Sequence, residues 1–99
     1  MKAIKELAER IEEELEDGKF YAEKFIEAKA KGDVALAARF KDIANDELRH
    51  ASIIHEIAVQ EIATVRKIFT PPVEMEEKWT KTHREYTERA AWIKQMLAM

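Results

Sequence analysis

With 99 residues, the chain has room for one small domain whose core is marginal unless a metal or a partner chain adds to it. Seventeen basic and twenty acidic residues leave a formal charge of −3, which fits mixed-sign helical surfaces and gives no sign of a nucleic-acid partner, and the absence of cysteine excludes disulfides, thiolate metal sites and cysteine nucleophiles. Residues 1–10 carry charge throughout and no stretch nears the roughly 20 apolar residues of a membrane span, so one cytoplasmic domain over residues 1–99, without a membrane partner, is expected.

Residues 2–29 read as a first helix rich in Glu, Lys, Ala and Leu. Its inward series runs Ile4, Leu7, Ile11, Glu14, Gly18, Tyr21, Phe25 and Ala28, so a carboxylate interrupts an apolar seam. Gly18 lowers helix propensity by about 1 kcal/mol relative to Ala. Its place one turn from Glu14 fits either room for a site or close helix packing. Gly32 suits a left-handed helix C-terminus and Asp33 suits the N-cap that follows, so Lys31-Gly32-Asp33 is a tight hairpin turn.

Residues 34–69 form the second predicted helix, ended by Thr70-Pro71-Pro72. Its stripe runs Leu36, Phe40, Ile43, Glu47, His50, Ile54 and Ile57 and continues through Ala58, Val65 and Ile68; Glu61 also falls on this seam, where Lys2 or Lys5 is its expected partner. Residues 73–97 form a third helix with the inward series Met75, Trp79, Thr82, Tyr86, Ala90, Ile93 and Leu97. It opens on Glu74, Glu76 and Glu77, at the positive end of its dipole. The fold expected is all-α, an antiparallel two-helix hairpin plus a C-terminal helix.

Glu47 and His50 stand at i and i+3, on one helix face. The spacing alone is weak: sixteen glutamates and three histidines place some Glu three residues before a His by accident about 40% of the time. The position is stronger evidence. Both residues occupy slots of the apolar stripe, where an unpaired carboxylate costs several kcal/mol. Folding about the turn sets Glu14 opposite the gap between them, all three roughly 26 Å from the turn at 1.5 Å per residue. A polar layer is the competing explanation, with Glu14 and Glu47 paired to Arg10 or Arg49. His55 and His83 read as surface or packing residues. Two carboxylates and one imidazole are half of the ligand set of a di-metal carboxylate bundle, so a homodimer would complete the site. Such donors suit iron or manganese, with zinc as a competitor.

The stretch Glu13-Glu14-Leu15-Glu16, then Phe20-Tyr21, then Asp46-Glu47-Leu48-Arg49-His50 resembles the ferritin-like superfamily, and most nearly the encapsulated ferritins. Chains of that family are two-helix halves that dimerise into a four-helix bundle around a diiron ferroxidase centre. The resemblance covers roughly residues 10–57. It implies that Glu14, Glu47 and His50 ligate iron, that Tyr21 stands beside the metal with a catalytic role, that Glu13 and Glu16 guide iron inward, and that Asp46 orients a ligating histidine. It also implies a larger ring-like homo-oligomer housed in an encapsulin-type shell, although this chain ends Ala91-Trp92-Ile93-Lys94-Gln95-Met96-Leu97-Ala98-Met99 without the docking tail of that family. The third helix has no counterpart there, and its Trp79, Tyr86 and Trp92 side is expected to pack the dimer or join dimers. Ferroxidase activity for iron handling or storage is the leading expectation. The alternatives are a diiron oxidase or peroxidase of rubrerythrin type and a metal-free helical interaction module.

Overall fold

In the computed structural model, which describes residues 2–99, α1 spans Lys2–Ala30, α2 Val34–Ile68 and α3 Val73–Leu97, and no strand occurs among the described residues. Each boundary lies within one residue of the sequence expectation. Gly32 takes a φ of +78°, a conformation that an L side chain resists. That geometry lets the Gly32 N–H donate to the Lys29 carbonyl and the Asp33 N–H to the Ala28 carbonyl, both at 3.0 Å, so the last carbonyls of α1 are satisfied. Asp33 then caps α2, its Oδ1 accepting from the Leu36 N–H at 3.1 Å.

The hairpin is antiparallel, and α3 returns alongside α1. Lys78 pairs with Glu12 at 3.1 Å and Arg89 with Glu16 at 2.8 Å, and Lys29 Nζ donates to the Met99 carbonyl at the far end. Across the Pro71-Pro72 connection Arg66 grips Glu76 with two bonds of 3.0 and 2.6 Å. The backbone of α3 lies closer to α1 than to α2. The result is a three-helix rod of 55 × 17 × 17 Å.

The buried seam differs from the predicted one in a consistent way. On α1 it runs Ile4, Ala8, Ile11, Leu15, Gly18, Ala22, Phe25 and Ala28, and on α2 Ala37, Ala44, Leu48, Ala51, Ala58, Ile62 and Val65. Ala58 and Val65 of the expected second-helix stripe are buried, but its other members form the flank of this seam: Leu36 is 41%, Ile43 37% and Ile57 43% exposed, and Ile68 is open at the helix end. Leu7, Tyr21, Phe40 and Ile54 are only partly buried. The cause is where α3 sits. By covering one side of the hairpin it buries the seam there, which is alanine-rich on α2, and leaves Leu36, Ile43 and Ile57 on the other side uncovered. The third-helix series is as expected: Met75, Trp79, Thr82, Ala90, Ile93 and Leu97 are buried and Tyr86 packs against the core. Trp79 therefore packs within the chain, whereas Trp92 is 52% exposed.

Gly18 lies where all three helices converge. A methyl group there would meet Ile93 Cδ1 at 3.4 Å and Glu47 Cβ at 3.6 Å, which is ordinary contact. Gly18→Ala is therefore expected to raise metal-free stability by about 0.5–1 kcal/mol through helix propensity, and Gly18→Leu to lower it by about 1–3 kcal/mol through overpacking. Urea unfolding of both variants checks this; an alanine that destabilises would mean that the helices need glycine for their approach.

Candidate metal centre

Seven-residue steps on two antiparallel helices build the site. Leu7, Glu14 and Tyr21 stand in line along α1, and Ile54, Glu47 and Phe40 stand in line along α2. Tyr21 stacks on Phe40 with ring centroids 6.2 Å apart, which fixes the register. Glu14 thus faces Glu47 two turns away, and Leu7 comes level with Ile54 two turns beyond that. A carboxylate pair sits between two apolar layers.

His50 completes the group from the next turn of α2. One ligand atom from each of Glu14, Glu47 and His50 lies within 4.8 Å of the others, and among the described residues no other group of three or more such side chains converges. His50 Nδ1 stands 3.5 Å from Glu14 Oε2, too long for a well-formed hydrogen bond, with the two side chains 45% and 23% exposed. Glu14 Oε2 is itself shielded from solvent and has no hydrogen-bond partner. With both carboxyls ionised, nothing donates to it.

A proton is the remaining remedy within the chain. A hydrogen bond with Glu14, then burial, then the charges of Glu14, Asp17 and Asp46 push the Glu47 carboxyl up from 4.5 to about 7. The proton belongs to the pair, because once it sits on Glu47 that carboxyl can donate to Glu14. Asp17 was not singled out from sequence, although its place three residues after Glu14 puts it on the same face and is the signal that marks it.

The cations of the polar-layer reading are engaged elsewhere. Arg10 pairs with Glu13 at 2.9 Å and Arg49 with Asp46 at 3.8 Å, and among the described residues no lysine or arginine pairs with Glu14 or Glu47. Other expected roles shift. Tyr21 lies two turns from Glu14, about 10 Å along the axis, and packs edge-on against Phe20 at 5.1 Å. Its hydroxyl forms no hydrogen bond to the three candidate ligands among the described residues. Asp46 reaches Arg49 rather than His50. Glu13 and Glu16 turn away from the group, Glu16 toward Arg89 on α3. Glu61 is exposed, and Lys2 approaches Glu6 at 3.9 Å instead.

Compared with protein-family models, curated proteins and solved structures, the chain matches none. No helix among the described residues is long and apolar enough to cross a membrane.

A carboxyl with a folded pKa above its unfolded value binds its proton more tightly in the folded chain. Its contribution to stability is therefore full below about 4.5 and lost as pH rises through about 7. In metal-free protein, Glu47→Gln is expected to remove this fall, since an amide imitates the protonated carboxyl. Urea midpoints of both proteins across that window test the point. Equal pH dependence in the two would refute the shared proton.

Proposed function

We propose that two copies of this chain pack their uncovered α1–α2 faces together as a ferritin-like four-helix bundle and act as a ferroxidase, with two Fe(II) ions as substrate between them. The observation that carries this reading is the placement of Glu14, Glu47 and His50, without a cation partner, midway along a stripe of exposed and half-exposed apolar side chains. Leu36, Phe40, Ile43, Ile54 and Ile57 flank the group along α2. A two-fold partner gives each of them an apolar neighbour and brings a second Glu-Glu-His set to the first.

The donor chemistry fits. Four carboxylates from two chains balance two divalent ions, and carboxylate oxygen with imidazole nitrogen suits Fe(II) or Mn(II), with Zn(II) as a competitor. Ferroxidation moves one electron from each Fe(II) to dioxygen. The part of the chain is to hold the cations and keep the pocket dry. Glu14 and Glu47 supply the compensating charge, and Glu47 gives up its proton as a cation arrives, so binding weakens in acid. Leu7 with Ile54 on one side and Tyr21 with Phe40 on the other limit water from both ends of the bundle. Tyr21 belongs to this second layer and is an oxidisable group within reach of the site. A ring of such dimers, or a surrounding shell, would enclose the same unit.

Native mass spectrometry of protein prepared with Fe(II) tests the proposal, for the wild type and for Glu47→Ala combined with His50→Ala. Two irons per pair of chains are expected for the wild type and none for the variant, with oxygen uptake on adding Fe(II) lost in parallel. An assembly that carries no iron and is indifferent to both substitutions would leave the ferroxidase reading without support.

A further inference from the structure

The second convergence of functional side chains lies on the other side of α2, away from the carboxylate pair. His55 on α2 and His83 on α3 meet nitrogen to nitrogen, His55 Nε2 and His83 Nδ1 being 2.8 Å apart. Their rings stack with centroids 5.0 Å apart and planes 29° apart. His55 also stacks on Tyr86 at 4.4 Å, with planes only 16° apart, and lies 5.2 Å from Trp79. Two aromatic residues of α3 and two imidazoles thus form one stack that joins α3 to α2. Below them the seam is tight, with Ala51 and Ala58 of α2 and Trp79 and Thr82 of α3 all buried.

An imidazole pair in this arrangement tolerates one added proton but not two. Neutral rings share one N–H···N bond, and a singly protonated pair keeps that bond with charge assistance. With both rings protonated, each facing nitrogen carries a hydrogen, so the bond is lost and two like charges face each other. The surroundings offer little relief. On α2, Glu56 favours protonation of His55; on α3, His83 opposes it and Tyr86 stacks on the His55 ring; α1 sends neither an ion pair nor a hydrogen bond to the two histidines among the described residues. Burial, followed by the His83 charge, holds His55 below its ordinary value of 6.5.

We propose that His55 and His83 are a proton-sensitive latch between α2 and α3, closed at neutral pH and opened when both rings are protonated. Opening frees the stacked seam of α3 while Lys78 with Glu12 and Arg89 with Glu16 keep α3 tethered to α1. The helix that loses its brace is α2, which carries Glu47 and His50. Opening of the latch therefore loosens the scaffold of the candidate centre through α2, separately from the direct protonation of Glu47. The latch stands on the His55 and His83 geometry and does not depend on the metal reading.

Trp79 reports the state of the latch directly. In metal-free Trp92→Phe protein it is the sole tryptophan. Its emission is expected to move to longer wavelength, and its quenching by acrylamide to rise severalfold, as pH falls below 6.5. Adding His83→Gln, which keeps a hydrogen-bonding amide but no titrating charge, is expected to abolish that change. Should this variant not fold, the imidazole NMR signals of the Trp92→Phe protein decide: a latch gives coupled, two-step titration of His55 and His83. Trp79 emission and quenching that stay flat in acid, an acid response that survives His83→Gln, or two rings titrating independently would each overturn the proposal.

Discussion

Two carboxyl groups facing each other across a helix pair must be separated by a proton, a basic side chain or a metal ion, and the rest of this structure is arranged around that constraint at Glu14 and Glu47. The basic side chains nearest in sequence are committed elsewhere, Arg10 to Glu13 and Arg49 to Asp46. A proton serves in the chain alone, which is why the Glu47 carboxyl is held near neutrality. It is a partial remedy, because one shared proton leaves one negative charge, two further aspartates nearby and a Glu14 oxygen shielded from water. A divalent cation would meet all of these demands at once, and His50 offers a ligand atom within 4.8 Å of those of the two carboxylates.

The packing around this pair explains how the chain tolerates it. Gly18, Ala22, Ala44, Ala51 and Ala58 are buried, so the helices approach closely through small residues. Ile11, Leu15, Phe25, Leu48 and Ile62 fill the rest of this seam, while Leu36, Ile43 and Ile57 of α2 lie on the flank that also carries Glu14 and Glu47. α3 then closes the opposite flank with Met75, Trp79, Ile93 and Leu97. A small chain thus gains a core from its own third helix and keeps one face in reserve. Core formation and site formation use different sides of the same two helices, so the charges of the site do not have to be buried in the folding core.

Much of this was legible in the sequence because it depends on local rules. Gly32 and Asp33 fix the turn through backbone conformation and capping, and once the turn is fixed the opposition of Glu14 to Glu47 and His50 is a matter of counting along two rods. Periodicity could not tell which neighbouring stripe would be covered. Leu7, Glu14, Tyr21 and the series Leu36, Phe40, Ile43 are spaced as well for burial as Ala8, Leu15, Ala22 and the series Ala37, Ala44, Ala51. The choice between them is made by α3, whose side of docking is a long-range decision. For the same reason His55 and His83 looked unrelated, lying 28 residues apart on different helices. The pairing of Glu16 with Arg89 likewise joins two helices through residues 73 apart in the chain, which no local pattern marks.

The two titrating pairs act on the folded chain with opposite sign. The shared proton at Glu47 stabilises the metal-free fold in acid and is lost as pH rises toward about 7, whereas the depressed His55 favours the fold at neutral pH and withdraws support below 6.5. Over the range where both operate the contributions oppose each other, so global stability conceals part of each local change. Metal binding would break this balance. A cation at Glu14, Glu47 and His50 displaces the shared proton and removes the acid-stabilising half of the pair. A metal-loaded chain should then have the steeper fall in acid stability, because protons that displace the cation add to the loss at His55 and His83. Each pair reaches the other through α2, the helix that holds Glu47 and His50 on one side and His55 on the other.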